Sequence, residues 1–303
     1  MRGQLSGAAV GIVADRFLGE PPDGIHPVAR FGRLMQWVEE RTYRDDRAAG
    51  VAHAAIGLGV GAVAGAVLRR TAGTTATAAA TYVAVAGRSL GASAMAVGDA
   101  LDADDLPRAR SLLPALVGRD PSELDDKAVA RAVVESVAEN TVDAVVAPAL
   151  WAAVAGAPGV LAHRAVNTMD AMVGYRNERY GHFGWGAARL DDLLAFGPAR
   201  ATAVLVAACR PGTAADVWRA VRRDAPAHPS PNSGVAEAAF AAALGLRLGG
   251  ESRYGDRVEL RPALGHGRPP DAGDIARAVR LSRDVSLVLA GGLVAADLVR
   301  SRR

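Results

Sequence analysis

The chain has 303 residues, half of them apolar, so a large buried surface is available, and its 35 basic and 32 acidic side chains leave a formal charge of only +3. That balance gives no global field for nucleic acid. Lys127 is the only lysine and Cys209 the only cysteine, which excludes a lysine-ended phosphate loop, an intramolecular disulfide, a thiolate zinc cluster and a CxxC redox pair.

In chain order, Leu5 to Val13 is a short apolar run, weak as a membrane span. It leads into DRFLGEPPDGIHPVARFG, where Asp15, Glu20, Asp23, His26 and Arg30 sit in a stretch stiffened by Pro21, Pro22 and Pro27. Val51 to Leu68 carries no charge except on His53, and Thr71 to Gly87 follows after Arg69 and Arg70. This pattern predicts two membrane spans joined by a tight turn. Gly57, Gly61 and Gly65 repeat the small-xxx-small spacing that lets helix backbones approach closely in a bilayer. Gly59, Gly61 and Ala64 mimic part of a dinucleotide fingerprint, but no strand precedes them and no ribose-binding acid follows at the needed distance. Ala14 to Gly50 carries six arginines and Arg88 to Thr141 six Lys or Arg, against two in the Arg69–Arg70 turn. The positive-inside rule then places both longer segments in the cytoplasm.

In ARAVVESVAENTVD, Glu135, Glu139 and Asp143 recur at i, i+4 and i+8, so one helix would line three carboxylates along a face, with Asn140 beside them. Without counter-charge such a row is unfavourable, which suggests Mg²⁺ or a basic partner, although Arg131 and Lys127 could equally balance it as a solvated face. Ala144 to Ala162 has no charge over nineteen residues, but Pro148, Gly156 and Pro158 interrupt it. A broken, re-entrant helix returning to the cytoplasmic side is expected. VNTMDAMVGYRNERYGHFGWGAARLDD follows, in which Asn167, Asp170, Tyr175, Arg176, Arg179, Arg189, Asp191 and Asp192 combine hard oxygen ligands with forked guanidinium donors. That mixture suits a phosphate held through metal and arginine together, and ionisable groups at a membrane edge are usually kept for function.

Ala201 to Cys209 and Val285 to Ala296 are shorter than a full span. The polar, Gly- and Pro-rich part at about 210–284 reads as a largely extramembrane segment with helices at Val235–Leu248 and Ile275–Arg283. Within it, His228, Ser230, Asn232 and Ser233 precede a helix carrying Glu237, an N-cap pattern that also makes an anion site. Long alternating β stretches are missing, so the expected fold is mainly α, a polytopic integral membrane protein forming one membrane-embedded domain over 1–303 with polar loops at a cytoplasmic-side site. No HExxH, GxSxG or serine–histidine–acid arrangement is present, which argues against covalent catalysis by a side chain.

Four motifs in this order, DRFLGEPPDGIHPVARFG, LVGRDPSEL with VVESVAENTVDAVVAPALW, VNTMDAMVGYRNERYGHFGWGAARLDD with Pro198 to Arg200, and HPSPNSGVAEAAFAAALGLRLGG, closely resemble the adenosylcobinamide-phosphate synthase (CobD/CbiB) family of cobalamin biosynthesis. The resemblance implies a multi-pass protein of the bacterial inner membrane that couples adenosylcobyric acid, a corrinoid, to aminopropanol or its phosphate. It implies ATP and Mg²⁺ as co-reactants. On this reading Glu135, Glu139, Asp143 and Asp170 are candidates for catalysis, and Asp15, Asp191 and Asp192 for the metal. Substrate binding would fall to His26, Arg30, Asn140, Asn167, Tyr175, Arg176, Arg189, His228, Ser230, Asn232 and Glu237, with Arg30, Arg176 and Arg189 on phosphate oxygens. The division of roles is inferred from chemistry. A polytopic transporter and a non-catalytic corrin-binding or sensory membrane protein are the competing classes.

Overall fold

A computed structural model describes the chain except residues 1–2, 22–25, 119, 176, 255–256 and 303, and at 251–254 and 257–259 it describes the backbone alone. Pro22, Asp23 and Arg176 of the motifs above therefore lie outside the described residues. The helices are α1 (Gln4–Leu18), α2 (Pro27–Thr42), α3 (Arg47–Ala72), α4 (Ala76–Ala84), α5 (Gly87–Asp102), α6 (Leu106–Leu112), α7 (Asp126–Thr141), α8 (Ala147–Val173), α9 (Trp185–Cys209), α10 (Ala214–Arg223), α11 (Ser233–Leu244) and α12 (Ala272–Ser301). One antiparallel pair, β1 (Leu248–Tyr254) and β2 (Arg257–Leu264), separates α11 from α12. The protein is mainly α, and three helical stretches, Arg47–Asp102, Asp126–Val173 and Trp185–Cys209, are long and apolar enough to cross a membrane.

The chain forms two compact units, the first from Met1–Ala86, Asp143–Ala195 and Leu289–Arg303, the second from Gly87–Val142 and Phe196–Val288. In the first unit α3 and α8 pack along the glycine row foreseen in the sequence. A Cβ added at Gly61 would stand 2.5 Å from the Leu161 carbonyl oxygen, and one at Gly65 2.5 Å from Pro158 Cα. Gly57 similarly faces the Met169 side chain. Helix α1 crosses α4 in the same way, with Gly11 against Thr81. The apolar core beside this seam joins Met35, Ala49, Ala54, Val166, Met169, Val173, Phe183 and Ala187.

The second expected span is corrected. Gly73, at φ 56, ends α3, and Val85 in extended geometry ends α4, so α4 has nine residues, about 14 Å of helix and half of a crossing. The predicted interruption of Ala144–Ala162 is present. Val142–Val146 is a π turn, and Gly156 inside α8 takes φ 65, ψ −152, a conformation open essentially to glycine alone, two residues before Pro158.

In the second unit α7 is buried on nearly every side, which its Ala and Val content permits, and α11 is almost wholly enclosed. Phe240, Leu246, Leu248, Leu264, Ile275 and Leu281 fill the space around them. The hairpin is the one sheet among the described residues, in a protein that is otherwise mainly α as expected. Its register slips between Leu248 and Gly250, where Gly249 and Gly250 adopt φ 85 and φ 101, a bulge at which side-chain-bearing residues would be strained. The expected helix Val235–Leu248 ends earlier, because Gly245 at φ 68 terminates α11 in the left-handed region.

Candidate functional site

The sequence-predicted polar residues fall in both units. The second unit's cluster is built on α7. Glu135 is 2% exposed and accepts a 2.9 Å hydrogen bond from the Gly249 N–H of the bulge, with Arg131 Nε 3.9 Å from the same oxygen. One turn on, Glu139 accepts from the Ser233 hydroxyl at 2.7 Å. On α11, Glu237 is fully buried, with His228 Nε2 at 3.6 Å and Arg261 Nη1 at 4.0 Å from Oε1. His228 Nδ1 lies 3.1 Å from both the N–H and the carbonyl oxygen of Ser230, accepting from the first or donating to the second according to its tautomer, while Nε2 faces Glu237. Burial, reinforced by Arg261, pushes His228 below the ordinary imidazole range, against the pull of the hydrogen bond a protonated ring donates to the Ser230 carbonyl and of Glu139 and Glu135. A neutral imidazole, buried carboxylates and arginines in one place are expensive to bury and characteristic of chemistry.

The turn before α11 separates its members by role. Ser230 Oγ accepts from the N–H groups of Asn232 and Ser233 at 3.3 and 3.2 Å, so it caps the helix. Asn232 makes no cap bond and instead accepts from Arg200 Nη1 at 2.9 Å. Asn140 is turned back onto its own helix, donating to the Ser136 carbonyl at 2.9 Å.

Of the three carboxylates foreseen in a row, Glu135 and Glu139 lie on α7 and Asp143 in the π turn that follows it. The α-helical period ends at Thr141, Asp143 sits in the π turn, and the boundary between the compact units falls between Val142 and Asp143. Glu135 and Glu139 therefore belong to the second unit and Asp143 to the first.

In the first unit, His26 caps α2 by accepting the Val28 N–H at 3.2 Å, and its Nε2 lies 3.5 Å from Glu20. Arg164 of α8 donates to Asn167 Oδ1 at 3.1 Å, Asn167 donates onward to Asp191 at 3.4 Å, and Glu20 and Asp143 act on Arg164 through their charge. Asp15 is 3% exposed on α1, Asp170 is partly buried near the end of α8, and Asp192 pairs with Arg189 at 3.4 Å in an exposed i,i+3 contact. Tyr175 is exposed. The polar loop is fastened to α2. Arg179 reaches Glu39 at 2.9 Å and stacks on Tyr43, Tyr180 donates to the same carboxylate at 3.0 Å, and the Glu39 bond holds Arg179 well above its usual range.

Sequence reading missed Arg261, Gly249 and Arg164. The Gly249–Gly250 pair before an alternating run was the available signal for the bulge. Arg164 stood out only as the first charge after the long uncharged run.

The family model described as CobD/Cbib protein matches residues 8–282. The chain belongs to the CobD/Cbib family. A cobalamin biosynthesis protein CobD of Mycobacterium tuberculosis (strain H37Rv) is 51% identical over 98% of this chain and 96% of its own length. The protein of the same name from Chromobacterium violaceum is 44% identical over 96% of each chain, and that from Geobacter metallireducens 42% identical over 89% of each. No solved structure matches the chain. Family membership places the chain in cobalamin biosynthesis, and its long apolar helices are those of a membrane protein.

Proposed function

We propose that the protein is an ATP-dependent amide ligase of the inner membrane, joining a propionate of adenosylcobyric acid to (R)-1-amino-2-propanol O-phosphate, or to the free aminopropanol, to give adenosylcobinamide phosphate or its dephosphorylated form. The observation that carries it is the burial of Glu135 and Glu237 beside Arg131, His228 and Arg261. Amide formation from a carboxylate is uphill at neutral pH, so the substrate carboxylate first takes the γ-phosphoryl of ATP, releasing ADP. The neutral amine then attacks the acyl phosphate, the C–N bond forms, the C–O bond to phosphate breaks, and the amine gives up one proton.

The donor chemistry of the cluster fits Mg²⁺. Glu135 and Glu139 offer hard oxygens one turn apart, and among the described residues no three acids, imidazoles or thiols are placed to hold a metal by themselves. That suits an ion which takes one or two carboxylates and completes its shell with water and phosphate. These two glutamates would hold it, and the bound ion would offset charge on the transferring phosphoryl. Arg131 and Arg261 add fixed positive charge for the acyl phosphate, the main source of rate in phosphoryl transfer. The Glu237–His228 pair takes the proton from the amine, its 3.6 Å separation leaving both groups only loosely bound to each other.

The test is ATP hydrolysis by the purified protein in detergent. Turnover that needs both the corrin acid and the amine supports the ligase. Hydrolysis indifferent to either, or transport across vesicles without a covalent product, overturns it.

A further inference from the structure

The first unit holds a cavity of about 250 Å³ between α2, α3, α4 and α8. Its walls are apolar, with Leu34, Val60, Ala64 and Leu161 among them, and its charged members are Arg30 and Arg164. Glu20 and Asp143, which lie within electrostatic range of Arg164, do not line it.

Arg164 sits inside a stretch apolar enough to cross a membrane, where an arginine is costly and marks a functional site by default. Its Nη1 is bonded to Asn167, but its Nε is buried and has no hydrogen-bond partner among the described residues. Arg30 stands in the first turn of α2, at the positive end of the helix dipole. The lining hydroxyl of Thr168 is spent on the Arg164 carbonyl at 2.7 Å, so little is left to read a sugar or a base. Val60 and Ala64 lie near the middle of α3, a helix of membrane length. The volume is below the roughly 300–1,000 Å³ usual for a whole small-molecule site, so it suits one segment of a larger amphiphile.

We infer that this cavity binds an anionic phospholipid, one acyl chain between α2, α3 and α8 and the phosphate on Arg30 and Arg164. The chain gains contact with a dry apolar wall and the phosphate meets two guanidinium groups. This assigns Arg30 to lipid rather than to the polar substrate, and it is independent of the ligase reading.

The experiment is native mass spectrometry of the full chain in detergent, titrated separately with phosphatidylglycerol, phosphatidylcholine and inorganic phosphate. Phosphatidylglycerol should be retained and phosphatidylcholine not. Arg164→Gln should weaken retention by about fivefold or more, the effect of one lost cation near a phosphate. Ala64→Phe fills the cavity with both arginines in place and should abolish retention; it also serves if Arg164→Gln does not fold. Equal retention of both lipids, retention by Ala64→Phe, or displacement of lipid by millimolar phosphate alone would overturn the assignment.

Discussion

The Gly249 N–H, placed by a bulge in the hairpin, is bonded to the carboxylate of Glu135 on the buried helix α7, 114 positions earlier in the chain. One backbone irregularity thus satisfies a buried charge. Glu135→Gln should keep an acceptor and cost little stability. Glu135→Ala strands the N–H and should lower stability by about 1–3 kcal/mol. Thermal unfolding of the two variants in detergent, compared with the parent, reads the difference.

Ser233 donates to Glu139. Glu139→Gln should abolish product while the protein still inserts and unfolds normally, because the uncharged amide cannot replace a carboxylate beside phosphate. Ser233→Ala should be milder, a loss on the order of tenfold for about 1.4 kcal/mol, since the carboxylate remains. Product formation measured alongside membrane insertion separates a chemical defect from a folding one, and full activity of Glu139→Gln would remove that residue from the site.

The seam between α3 and α8 has no space for a side chain at Gly61. Gly61→Val should destabilise by roughly 1–3 kcal/mol or more, because the clash is with backbone and cannot be relieved by a rotamer change. Gly59→Val, on the same helix with open space around it, is the control. A comparable loss in both variants would mean that the seam is not what matters.

His228 supplies a pH test. Its folded value lies below the ordinary 6.5, chiefly through burial, so the unfolded chain binds the proton more readily. The stability it contributes is complete above pH 6.5 and is lost as pH falls from there toward the folded value. His228→Gln should flatten that acid limb in a plot of unfolding midpoint against pH. An unchanged slope would show that the loss comes from other groups.

Asp274 at the start of α12 is fully buried and held by Arg268, at 2.6 and 3.0 Å, and by Arg277, with a backbone bond from Asp271. These bonds outweigh its burial and keep it below the usual carboxylate value of 3.8. Its contribution is present at neutral pH and is lost only as pH falls below about 3.8. Asp274→Asn should weaken the domain at pH 7 by about 3 kcal/mol, the cost of breaking a buried pair, and the difference from the parent should shrink in acid.

The helices were legible because the Ala, Gly and Val runs and their breakers are local signals. Gly57, Gly61 and Gly65 announced a close helix contact, and Gly156 with Pro158 announced a broken helix. The turn at Gly73 was not legible as the end of a full span, since α4 reads as apolar over Thr71 to Gly87 whether it has nine residues or seventeen. The carboxylates Glu135, Glu139 and Glu237 were visible by type and spacing. Their partners were not, because Gly249, Arg261 and Ser233 reach them through tertiary packing, and periodicity carries no information about contacts between separate elements. The π turn that holds Asp143 was not legible, because such a turn carries no distinctive sequence mark.

The Gly57–Gly61–Gly65 row has a mechanical side. At Gly61 and Gly65, with no side chain interposed, the α3 and α8 backbones touch over about one turn and cannot slide past one another there without steric collision. That turn therefore acts as a stiff joint between the two helices, and a thicker or thinner bilayer should be met by tilting the pair together instead of by shear at the joint.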